Sequence, residues 1–137
     1  MTKKVTMILG VVVLLVGLLG FVNNPVLGIF AVDAIHNLIH IIVGIVLIMG
    51  AKGANTAKTL KTVGIVVILV ALLGFFVSND EGKILGLIMS NSAANWLHLI
   101  LGVVFVGLSM KDSNKMATTT PSQPSNPMQG GMGGGQM

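Results

Sequence analysis

The sequence predicts an all-α integral membrane protein: a four-helix bundle built from two tandem, parallel helical hairpins, followed by a disordered carboxyl-terminal tail. Three observations predict it. Of the 137 residues 53% are hydrophobic and only 9% charged, whereas a soluble domain carries about a quarter charged residues. Four charge-free stretches are each long enough for one membrane-spanning helix. The first half of the membrane part then recurs in the second, with polar residues in register.

The charge-free stretches are Val5 to Val32, Ala34 to Ala51, Thr62 to Asn79 and Ile84 to Met110. Crossing about 30 Å of hydrocarbon takes roughly 20 helical residues at about 1.5 Å each. The first and last stretches are too long for one helix and too short for two. Spans are therefore expected at about 5–23, 34–51, 61–77 and 93–110. Two short apolar pieces, Val26 to Val32 and Ile84 to Met89, are left to lie along the outer interface or to extend the following helix. Lys3 and Lys4 before the first stretch resemble the start of a signal peptide. Its small residues, Ala31 to Ala34, lie far beyond the apolar core, and nearly the same segment recurs in mid-chain, so the first stretch reads as a retained helix.

An offset of 54 lays GVVVLLVGLLGF (10–21) on GIVVILVALLGF (64–75), and an offset of 58 lays LGIFAVDAIHNLIHIIVG (27–44) on LGLIMSNSAANWLHLILG (85–102). The second match pairs Asn37 with Asn95, His40 with His98 and Gly44 with Gly102. Aliphatic similarity is common to all membrane helices, but Asn, His and Gly in register are not. The repeat units run over about 5–52 and 59–111, within a transmembrane domain of 1–111. An even number of crossings per unit makes the repeat parallel, with its pseudo-twofold axis along the membrane normal.

Net charge is +4, from eight lysines against four acids. Lys3, Lys4, Lys52, Lys58, Lys61, Lys111 and Lys115 fall on one side; Lys83, Asp33, Asp80 and Glu81 fall on the other. The positive-inside bias then puts both termini in the cytoplasm of a cell membrane. Anionic lipid accounts for the basic balance at about 1 kcal/mol per lysine, so no nucleic-acid partner is expected. Residues 112–137 are rich in Ser, Thr, Pro, Gly, Gln and Met and are expected to be a disordered cytoplasmic tail. Met116, Met128, Met132 and Met137 are too irregularly spaced for a copper(I) motif.

The second and fourth helices carry a polar stripe at spacings of three and four. Asp33, His36, Asn37, His40 and Gly44 form it in one, and Asn91, Asn95, His98 and Gly102 in the other. Amides and imidazoles facing lipid cost several kcal/mol, so the stripes are expected to face each other across the pseudo-axis, with Gly44 and Gly102 allowing close approach. Two readings stay open. In one the stripe is structural, with Asn and His fixing helix register. In the other His36, His40 and His98, with Asp33, form a ligand site opening outward, for zinc, copper, nickel or iron, or for haem held axially.

The remaining candidates are structural. Gly10 and Gly17, matched by Gly64 and Ala71, suit close helix packing. Trp96 suits an interfacial anchor. Asp80 and Glu81 are neighbours in a loop and do not face a common point as a catalytic pair would. With no cysteine, no phosphate-binding loop and no nucleophile beside a base, the chain reads as a non-enzyme without a resident cofactor, a structural or interaction protein. Its expected partners are the bilayer and a second copy or another membrane protein. The competing functional readings are the metal- or haem-binding module and, with less support, a small transporter or channel subunit.

The signatures IHNLIH (35–40) and NWLHL (95–99), with LLGF before the first loop and LGIF leading into the second helix, resemble the four-pass membrane proteins grouped as domain of unknown function 4383. The resemblance covers about 5–110. It implies that His36, Asn37, His40, Asn95, Trp96 and His98 are signature positions, and it brings no activity, substrate or cofactor. The chain departs from the family pattern in its short first loop, NNP.

Overall fold

The computed structural model describes residues 2–117, with side chains for 2–111. Four helices carry the fold: α1 (Thr2–Gly20), α2 (Ala34–Lys52), α3 (Thr56–Phe76) and α4 (Ser92–Ala117). All four are long and apolar enough to cross a membrane. The protein is therefore a multi-pass membrane protein. Isoleucine, leucine and valine side chains such as Ile8, Leu15, Ile42, Leu69 and Ile100 stand exposed on the helix flanks, as lipid-facing residues do.

Each helix begins and ends where backbone donors find or lose partners. Asp33 caps α2 by accepting the His36 N–H, which satisfies one of the free donors of the first turn. α1 stops at Gly20, three residues short of the expected end. Asn23 N–H still bonds back to the Leu19 carbonyl, but Pro25 lacks an N–H and ends any continuation. α3 starts at Thr56, five residues before the expected 61, because Lys58 and Lys61 tolerate a helical turn beyond the hydrocarbon. The Thr56 hydroxyl also donates to the Gly50 carbonyl of α2 at 2.9 Å, tying the two repeats together. α4 runs on to Ala117. The rest of the expected tail, 118–137, lies outside the described residues.

The two apolar leftovers do not extend the helices. Each turns back on itself at the end of the bundle opposite the lysine-rich one. Val26 bridges Phe30, and β1 (Lys83–Ile84) pairs antiparallel with β2 (Ile88–Met89). The turns are copies. Leu27 and Gly28 have φ of 54° and 72°, and Leu85 and Gly86 have 52° and 72°. A leucine in the left-handed region costs about 1–2 kcal/mol, and here it occurs at the same place in both units.

α1 packs along α2, and α3 along α4; the contacts between hairpins are fewer. Within each hairpin the fit depends on glycine. A Cβ on Gly44 would stand 2.7 Å from the Leu14 nitrogen of α1, and one on Gly102 would stand 2.8 Å from the Gly64 carbonyl of α3. The expectation that these glycines bring α2 and α4 together is thereby corrected. They seat each helix on its own hairpin partner, and the α2 and α4 backbones stay more than 8 Å apart, Cα to Cα, among the described residues. Between the hairpins, toward the lysine-rich end, Leu47, Leu60, Val63 and Phe105 form a buried cluster flanked by Leu9, Val13, Val43, Val67, Leu101 and Leu108. The polar stripe occupies the opposite half.

Candidate functional site

His40 lies six residues after Ala34 and His98 six after Ser92, so both sit about 9 Å along their helices at the usual rise per residue. Their Nε2 atoms approach to 3.3 Å. His36, one turn earlier on α2, stacks at an angle over both, with ring centroids 4.7 Å from His40 and 5.5 Å from His98; the His40 and His98 centroids are 5.6 Å apart. One ring nitrogen from each of the three lies within 4.8 Å of the others. Imidazole is long enough to bridge the gap that the two backbones leave.

His36 is buried, and its ring is fixed from behind. Nδ1–H donates to the Met89 carbonyl at 2.6 Å. A carbonyl oxygen can only accept, so Nδ1 carries a proton, and whenever the ring is neutral Nε2 keeps its lone pair. Met89 is held in turn, since its N–H donates to Asp33 Oδ2 at 2.9 Å. His40 and His98 are half-buried, and the His40 Nδ1 is buried without a hydrogen-bond partner.

The rest of the stripe does not join the histidines. Successive helical residues are separated by about 100°, so Asn37 cannot look the same way as His36. It looks toward α1, where its amide lies on Gly20; Asn95 lies on Gly74 of α3 in the same way, and a Cβ on either glycine would collide with the amide. The expectation that both stripes face each other throughout thus holds for the imidazoles and fails for the amides and glycines. Asp33 is also not part of the cluster. Its Oδ1 accepts from His36 N–H and its Oδ2 from Met89 N–H, which leaves it a cap and a clamp. Asn91 caps α4 by accepting the Ala94 N–H at 3.0 Å, and its Nδ2 donates to the Ile29 carbonyl at 2.7 Å. Trp96 is 57% exposed and meets Phe75 edge-on at 5.1 Å, a position that fits an interfacial anchor.

Two participants escaped the sequence reading. Ser90 donates to Asn95 Oδ1 at 2.6 Å, while Val32 occupies the matching place in the first repeat, so Asn37 Oδ1 is buried without a partner. The Met89 carbonyl is backbone, and no residue identity announces it. Gly20 and Gly74 did carry a signal, since they match in the repeat near the Asn pair.

The family model described as Domain of unknown function (DUF4383) matches residues 3–110, nearly the whole membrane part. The chain belongs to that family. Comparison with the curated proteins and with the solved structures finds no match.

Proposed function

We propose that this family member is a non-enzymatic protein of the cytoplasmic membrane that holds one transition-metal ion through His36, His40 and His98, with both termini in the cytoplasm. The observation that carries the reading is the convergence of three imidazoles from two hairpins, one ring nitrogen of each within 4.8 Å of the others, so that an ion would draw the three rings closer together. Two ligands on a tetrahedral ion with bonds of about 2.0–2.1 Å stand about 3.3–3.4 Å apart. The His40 and His98 Nε2 atoms stand at 3.3 Å. Axial haem ligation would need two bonds end to end, about 4 Å at that bond length, so the pair fits an edge of a small-ion site better than a haem axis. His36 carries the feature that metal-bound histidines need behind the ring, an N–H donated to a backbone carbonyl. Three nitrogen donors suit zinc, copper, nickel, cobalt or iron.

One observation favours the structural reading instead: the same 3.3 Å approach can be an N–H···N hydrogen bond between neutral rings. Such bonds between membrane helices are worth about 0.6 kcal/mol, a small return beside the buried His40 Nδ1, which has no partner. Metal loading separates the two. Untagged protein in mild detergent, equilibrated with zinc or cobalt(II) and freed of excess, should retain one ion per chain, and the His40→Ala/His98→Ala double variant should retain none. Wild-type protein that ignores zinc, cobalt and copper alike would overturn the metal reading and leave the structural one. Bilayer lipid is the partner this reading requires; a second copy or another membrane protein is compatible with it.

A further inference from the structure

The repeat that builds the centre is broken at one position. The offset of 58 pairs Asp33 with Asn91, Asn37 with Asn95, His40 with His98 and Gly44 with Gly102, yet it sets His36 against Ala94. A symmetric centre would present four imidazoles and close a tetrahedron around the ion. Here the fourth corner belongs to a methyl group, 3% exposed, that donates nothing.

Neighbouring side chains are already engaged elsewhere. Both Asp33 oxygens accept backbone N–H groups, at 2.8 and 2.9 Å. The Asn37 and Asn95 amides are turned away onto Gly20 and Gly74. Among the described residues, the cluster able to ligate is His36, His40 and His98 alone. Three protein ligands with a free fourth position are the pattern of zinc sites that bind an exchangeable molecule, whereas structural sites are filled by four. A divalent ion held by three neutral imidazoles also keeps its full charge in a poorly solvated place, and a small anion relieves that cost.

We propose that the three-histidine centre keeps an open coordination position, on the side where Ala94 replaces a histidine, and that this position takes a small anionic donor. The inference rests on the metal reading above and is tested separately from it. Untagged wild-type protein loaded with cobalt(II) is titrated with azide while the visible ligand-field bands are recorded. A saturable shift of the bands supports the open position. In Ala94→His, which restores the symmetric imidazole, cobalt(II) should bind about tenfold more tightly or better, and azide should no longer move the bands. Cobalt(II) that binds the wild type but gives bands indifferent to azide would overturn the proposal while leaving the three-histidine site in place. Failure to bind cobalt(II) at all removes the metal reading, and this inference with it. Should Ala94→His not fold, the wild-type azide titration decides alone.

Discussion

Asp33 and Asn91 occupy the same place in the two repeats, each caps its own helix, and each then reaches into the other repeat's turn with opposite hydrogen-bonding polarity. Asp33 accepts the Met89 N–H at 2.9 Å, and Asn91 donates to the Ile29 carbonyl at 2.7 Å. The carboxylate can only accept and the amide Nδ2 can only donate, so the residue types follow from what each faces. The pair clamps the hairpins together at the end away from the lysine-rich one, and Asp33 holds Met89 where its carbonyl fixes His36.

Exchanging the types should therefore fail at both sites. In Asp33→Asn an amide donor would meet the Met89 N–H, and in Asn91→Asp a carboxylate oxygen would meet the Ile29 carbonyl, while the capping bond survives in each. Asp33→Asn should lose about 1–3 kcal/mol, the cost of a partly buried polar group left unpaired, and Asn91→Asp less, because its bond to Ile29 is exposed. The double exchange should not rescue either, because the partners are backbone groups in separate turns. Unfolding by SDS titration from mixed micelles measures all three.

The sequence carried the helices, the repeat and the histidine pair, because each of these is written in side chains at fixed spacing. His36 and His40 are four apart and His40 and His98 match across the repeat, so their meeting could be read before any coordinates. Asn37 shows where that logic stops. It shares the stripe by spacing but lies a third of a turn away from His36, and only packing decides that its amide rests on Gly20. The turns were illegible for another reason. VLGIF and ILGLI are apolar enough to read as helix extensions, and left-handed Leu27 and Leu85 have no signature beyond the repeated Leu-Gly. The grip of Asp33 on Met89 and of Met89 on His36 runs through backbone groups, which every residue carries alike.

Ser90 and Val32 give the same repeat position opposite consequences. Ser90→Val should leave Asn95 Oδ1 buried without its 2.6 Å bond and cost about 1–3 kcal/mol. Val32→Ser offers a hydroxyl to Asn37 Oδ1, which has no partner, so it should cost less than the loss of a buried valine side chain ordinarily does, about 1.5–3 kcal/mol. The same detergent titration, run on both variants, checks the ordering; equal losses would show that the amide environments of Asn37 and Asn95 do not differ as described.

Orientation is open to a direct chemical test because the chain contains no cysteine. Asn79 is a poor site for one, since its Oδ1 accepts the N–H groups of Glu81 and Lys83 at 3.1 and 2.8 Å. Asp80 beside it is exposed. An Asp80→Cys protein in intact cells should react with a membrane-impermeant maleimide, and a Gly53→Cys protein, with its thiol in the connection between the repeats, should react only after the membrane is opened. The reverse pattern would place the lysine-rich end outside and contradict the positive-inside reading.

Glycine substitutions should separate seats from spacers. Replacing a helical glycine by alanine ordinarily stabilises a helix by about 1 kcal/mol. At Gly107 nothing stands within 4 Å of the added methyl, so Gly107→Ala should be neutral or gain up to about 1 kcal/mol. At Gly20 and Gly74 the methyl would run into the amides of Asn37 and Asn95, and the sign should reverse to a loss of about 1–3 kcal/mol from overpacking. The displaced amide belongs to a residue adjacent in sequence to His36 in the first repeat and to Ala94 in the second. Gly20→Ala should therefore weaken cobalt(II) binding as well as stability, and Gly74→Ala should lower stability with less effect on the metal. Measuring both quantities on both variants tests whether Asn37 supports the histidine cluster or only the hairpin.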